Sequence, residues 1–95
     1  MASIFKPGDK FTIPDPDDLI DFEITDTVDL SGHYFHKGKL VSHMFDMLDI
    51  VYVPEVLGEN KTLKIEPIND QAIINAIEAE IKKRSSQTAQ EPQNS

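Results

Sequence analysis

Ile20-Asp21-Phe22-Glu23-Ile24-Thr25-Asp26-Thr27-Val28-Asp29-Leu30 is the stretch that decides the fold. Ile20, Phe22, Ile24, Val28 and Leu30 alternate with Asp21, Glu23, Thr25, Thr27 and Asp29, and only Asp26 falls out of pattern. Alternation with period two, carried by β-branched and aromatic residues, is the mark of a half-buried strand. It places the apolar set on one face and the acids and threonines on the other. Eleven residues are long for one strand, so a bend is expected near Asp26.

Upstream, Lys6-Pro7-Gly8-Asp9 has Pro and Gly in the order of a type II turn, and Lys10-Phe11-Thr12-Ile13 alternates as a short strand. Pro14 and Pro16 end that strand in a loop. Downstream, Ser31-Gly32 and Lys37-Gly38 both read as turns, so His33-Tyr34-Phe35 and Lys39-Leu40-Val41 are expected to pair as a hairpin around His36-Lys37-Gly38. Met44, Met47, Leu48 and Val51 have helical spacing, which predicts one or two helical turns over 42–49 before a strand at Ile50-Val51-Tyr52-Val53. Thr62 to Glu66 alternates again and is expected to pair antiparallel with 50–53.

The last element is a helix. Asn69 or Asp70 is placed to cap it, and Ile73, Ile74, Ile77 and Ile81 line one face as far as about Arg84. Glu78 faces Lys82 and Glu80 faces Arg84 at i, i+4, with the acid N-terminal. Residues 85–95 are polar, without a large apolar side chain, and read as a disordered tail behind a single domain of residues 1–84. The expected fold is α+β: a small antiparallel sheet or open barrel of four to six strands with one C-terminal amphipathic helix.

Charge is concentrated. Asp15, Asp17, Asp18, Asp21, Glu23, Asp26 and Asp29 lie between residues 15 and 29 with no Lys or Arg among them, and account for seven of the net eight negative charges. That balance opposes direct binding to nucleic acid or to an anionic membrane and favours attraction to a basic protein surface. The chain has no Cys, hence no disulfide, thiolate nucleophile or sulfur metal site. No stretch approaches the roughly 20 apolar residues of a membrane span. The N-terminus lacks the apolar run of a secretory signal, so an intracellular or particle-associated protein is expected, neither secreted nor membrane-embedded.

Chemistry-bearing patterns are sparse. The acidic run fails as an EF-hand loop: counted from Asp15, the fifth, sixth and twelfth positions hold Leu19, Ile20 and Asp26, where an oxygen ligand, Gly and Glu are required. Acids on one strand face recur roughly every 6.6–6.8 Å. Duplex DNA carries one charge per about 1.7 Å of axis, so one strand cannot reproduce that density. His33, His36 and His43 are close in sequence, but His33-x-x-His36 aims the two rings to opposite sides of a strand. A zinc site built from them is the least favoured reading, and no cofactor is expected. No Gly-x-Ser-x-Gly elbow and no Gly-rich phosphate loop is present.

These features point to a non-enzymatic interaction or assembly module, a small subunit of an oligomer or larger complex, with a profile shared by accessory proteins of virus and phage particles. An acidic inhibitor occupying another protein's nucleic-acid-binding surface is the alternative. Two partner-binding surfaces are candidates: the acidic strip Asp15, Asp17, Asp18, Asp21, Glu23, Asp26 and Asp29, and, where exposed, the apolar residues Met44, Phe45, Met47 and Ile74. Homo-oligomerisation is a natural source of extra stability for so small a core.

Overall fold

The computed structural model describes residues 3–14, 19–44 and 47–93, with side chains as far as Arg84 except that of Pro14. Four strands, β1 (Lys10–Pro14), β2 (Leu19–Leu30), β3 (His33–Ser42) and β4 (Met47–Pro54), form one antiparallel sheet in the order β1-β2-β3-β4. A single helix, α1 (Gln71–Gln93), follows. The arrangement is α+β with an open sheet. Asp15, Asp17, Asp18, Phe45 and Asp46 lie outside the described residues.

Two local turns follow directly from their residues. Asp9 N donates to Lys6 O at 3.1 Å across Pro7-Gly8, with Gly8 at φ 99° as a type II turn demands. β2 and β3 are joined by Ser31 (φ 55°) and Gly32 (φ 89°), both left-handed, which matches the twist of the flanking strands. Asp29 fixes this turn by accepting from Gly32 N at 2.7 Å.

The long alternation of β2 does not stay on one face. Ile24 pairs with Gly38 and Asp26 with Lys37, so Thr25 is an extra residue and the register shifts there. A bulge of this kind reverses the facing of everything beyond it. Residues paired directly across a ladder share a face. Hence Ile20, Phe22, Ile24 and Thr27 lie on one side with Leu40, Gly38 and His36, whereas Val28 and Leu30 lie on the other with Phe35 and His33. The expected bend near Asp26 is present, but the single apolar face is two.

Each face has its own cover. Phe22, Ile24 and Val53 pack with Phe5 from the N-terminal segment and with Leu63 from the 55–68 connection, flanked by Phe11, Ile13, Leu40, Val51 and Ile65. The opposite face carries Val28, fully buried, beneath α1, whose Ile77 is also fully buried. Ile73, Ile74 and Ile81 are half-buried along the same stripe. Asp70 caps the helix by accepting from Ala72 N at 2.9 Å. Glu78 reaches across to the sheet rather than to Lys82, meeting Lys37 Nζ at 2.8 Å and the Tyr52 hydroxyl. Arg84 likewise donates to the Thr27 carbonyl, at 2.6 Å. The helix backbone runs beyond Arg84 to Gln93.

Three expectations are corrected. No hairpin turns at His36-Lys37-Gly38: β3 is continuous, and Gly38 sits in its middle because the Phe22 ring lies over it. A Cβ on Gly38 would stand 2.5 Å from two Phe22 ring atoms and 2.6 Å from the Glu23 carbonyl oxygen. The 42–49 region is not helical where described: His43 and Met44 form a bend, and the β-rich run before Pro54 extends back to Met47. Thr62 to Glu66 does not join the sheet. It pairs with the chain just before it, through a bridge between Leu57 and Leu63 and a bond from Lys64 N to Val56 O of 2.8 Å. A 3-10 turn at Glu59–Lys61, with Asn60 and Lys61 at positive φ, closes that loop.

Candidate functional site

β4 is an edge of the sheet, and its first half exposes several large apolar side chains in succession. Met44 is 67% exposed, Met47 54%, Leu48 48% and Ile50 38%. Met44 and Met47 therefore meet the condition set for them by sequence. Ile74 does not, being half-buried on the inner stripe of α1. Ile50 was not singled out by sequence. The available signal was Asp49, a charge set in the middle of an apolar run, as on a strand that faces water.

The edge is open to other chains along only part of its length. Glu55 N donates to Tyr34 O at 2.9 Å, continuing the β3–β4 ladder. By alternation, Val53 and Val51 turn their backbone groups to β3, and Tyr52 and Ile50 turn theirs outward. Tyr52 O accepts from Ile68 N at 2.7 Å, which covers the far half of the edge. The Ile50 N–H is taken by Asp49 Oδ1 at 2.8 Å. A second bulge, at Leu48 between the pairs Leu40–Asp49 and Val41–Met47, twists the near end. A charge and a bulge are recognised ways of keeping an edge from recruiting other strands. Asp49→Val frees the outward N–H and leaves Met47 to Val53 without a charge. We expect concentration-dependent association of this variant by sedimentation velocity at concentrations where the wild type gives one species; unchanged sedimentation would deny Asp49 its guarding role.

The acids of β2 do not form one strip. Asp21 and Glu23 share the helix-side face, beyond the part that α1 covers, and each has a basic neighbour. Asp21 accepts from Thr12 at 2.9 Å and stands 3.0 Å from His43 Nε2, and Glu23 is 3.8 Å from Lys39 Nζ. The Thr12 hydrogen bond, then that from His43, holds the Asp21 carboxyl below the ordinary carboxylate range. Asp26 accepts from the Thr25 hydroxyl at the bulge. Asp29 falls on the opposite face and is engaged in the β2–β3 turn.

The histidines are likewise separated. His33 and His43 are exposed, His33 lies on the face opposite His36, and no group of three or more metal-ligating side chains occurs among the described residues. His36 is fully buried and has both nitrogens engaged: Nε2 lies 2.9 Å from Glu55 Oε1 and Nδ1 lies 2.8 Å from Thr27 Oγ1. A carboxylate only accepts, so the proton is assigned to Nε2 and the Thr27 hydroxyl donates to Nδ1. The same Glu55 oxygen accepts from the Ser3 hydroxyl, and the Phe5 ring stands edge-on to the imidazole at 5.9 Å. Hydroxyl, imidazole and carboxylate stand here in relay order, but the imidazole is sealed between Phe5 and the sheet, where a substrate would have to displace core side chains. The cluster is a satisfied polar link within the core.

On the helix side, Tyr52, Lys37 and Glu78 form a second link. Burial, followed by the hydrogen bond to Glu78, pushes the Tyr52 hydroxyl up to about 12, and Lys37, then Tyr52, holds the Glu78 carboxyl down. No helix among the described residues is long and apolar enough to cross a membrane. No family model, no curated protein and no solved structure matches the chain.

Proposed function

We propose that the chain is a non-enzymatic protein-interaction or assembly module, a small subunit that docks through the exposed apolar end of β4. The observation that carries this reading is the exposure of Met44, Met47, Leu48 and Ile50 together on one end of a sheet whose other apolar residues are largely covered. Contiguous apolar surface on a small domain marks an interaction site more often than scattered residues do. Methionine suits the role because its unbranched, polarisable side chain fits irregular partner surfaces. The partner class is protein, either other copies of the chain or a different subunit, in an intracellular or particle setting such as a virus or phage assembly.

The acidic-inhibitor alternative draws less support. Asp21 and Glu23 have basic neighbours and Asp29 is turned to the other face, so the described acids do not present a continuous phosphate-like row.

The test is isolation of the tagged chain from its own cells, compared with Met47→Asp and with a triple variant carrying Asp21→Asn, Glu23→Gln and Asp29→Asn. Companions, or copies of the chain, should be lost with Met47→Asp and retained with the triple variant. The reverse pattern supports the inhibitor reading and sinks this one. Circular dichroism on each variant confirms that the sheet is intact, which the exposure of Met47 leads us to expect.

A further inference from the structure

We infer that Ser3–Pro7 is a strap latched over the sheet by His36 and Glu55, and that it opens as a unit when the imidazole takes up a proton. Its boundary is given by hydrogen bonds. Gly8 N donates to Ile24 O at 2.8 Å and Ile24 N donates to Asp9 O at 2.9 Å, so the chain is rooted on β2 from Gly8 onward. Before that root, the strap is held by its Ser3 hydroxyl on Glu55, by the Phe5 ring against His36 and Phe11, and by Lys6 N on the Asp9 carboxylate at 3.1 Å. One carboxylate oxygen of Glu55 thus serves both the strap and the imidazole.

The coupling to protons follows from what surrounds the ring. β2 presents Thr27 and β4 presents Val53, neither of them charged. The charged groups facing His36 are Glu55, after β4, and Asp9, at the root of the strap. Both favour the imidazolium, but the ring has no access to water while Phe5 covers it. Burial outweighs the two acids and holds the imidazole below its ordinary value. With the strap open, water hydrates the imidazolium and the acids still attract it, so the open form takes up the proton first. A group whose closed-state pKa is depressed favours closure above its ordinary value of about 6.5 and withdraws that support as pH falls below it. Acidification below the ordinary imidazole value therefore releases the strap.

The experiment is amide hydrogen exchange read by NMR at about pH 7.5 and about pH 5, corrected for intrinsic rates, with the His36 ring followed in the same samples. Phe5 and Lys6 should lose protection on the order of tenfold at the lower pH while Phe22 and Ile24 keep theirs, since each unit of pKa difference is a factor of ten in the opening equilibrium. Glu55→Gln removes a counter-charge of the imidazolium and should move the midpoint to lower pH. Protection of Phe5 and Lys6 that is flat with pH overturns the inference. So does loss of strap and sheet protection together, or a midpoint in Glu55→Gln at or above that of the wild type.

Discussion

Gly38→Ala is expected to be among the most damaging single methyl additions in the chain. The added carbon meets the fully buried Phe22 ring and the Glu23 carbonyl oxygen well inside contact distance, and neither can retreat without moving the core or the β2 backbone. Overpacking of this kind costs about 1–3 kcal/mol and sometimes more. A domain of this size has only roughly 5–10 kcal/mol in total. At about 4–8 °C per kcal/mol for a small domain, the melting temperature should fall by roughly 5–25 °C. Gly32→Ala is the informative control. Gly32 is left-handed but has open space around a Cβ, so its cost is that of backbone conformation alone, about 1 kcal/mol. Denaturant unfolding of the two variants should rank Gly38→Ala clearly worse; equal costs would mean that the Phe22 ring does not depend on that space.

Ile77→Ala should be comparably severe, for a different reason. Ile77 is the one fully buried side chain of α1 among those described, and it serves the face on which the bulge has placed Val28. Truncating a buried Ile removes its transfer free energy and leaves a cavity, together about 2–5 kcal/mol. The neighbouring isoleucines are only half-buried, so Ile73→Ala and Ile81→Ala should each cost less. Urea unfolding of the three variants checks the order, and a larger loss at Ile73 or Ile81 would show that the stripe is centred elsewhere. Because Phe22 and Ile77 lie on opposite faces, the losses from Gly38→Ala and Ile77→Ala should add within about 0.5 kcal/mol.

Much of this architecture was legible from local chemistry. The Pro7-Gly8 turn, the Ser31-Gly32 connection, the strand over Ile20 to Leu30 with its bend near Asp26 and the Asp70 cap with its isoleucine stripe each depend on neighbouring residues, and each is present, but the bulge turns Val28 and Leu30 away from the face that the alternation assigns them. What escaped depended on distant ones. Lys37-Gly38 has the composition of a turn, and only the ring of Phe22 explains why a glycine stands mid-strand. Thr62 to Glu66 alternates like a sheet strand, yet the short connection folds it onto Val56 and Leu57 before it can reach β4. The exposure of Met47 could not be settled while helix and strand competed for 42–49. The role of His36 was hidden because its partners Thr27 and Glu55, and the Ser3 hydroxyl that shares Glu55 with it, come from three separate parts of the chain.

Thr25 is a position where chain length matters as little as residue identity. Its side chain is exposed and, among the described residues, bonds to Asp26 and to the Lys37 carbonyl, so many replacements would leave the sheet as it is. Deleting it would leave Ile24 opposite Gly38, Asp26 opposite Lys37 and Val28 opposite Phe35, so the ladder closes without a break and Val28 and Leu30 keep their place on the side of α1. In any set of related chains, a gap in that column would therefore mark a straighter strand whose helix still docks over the same face.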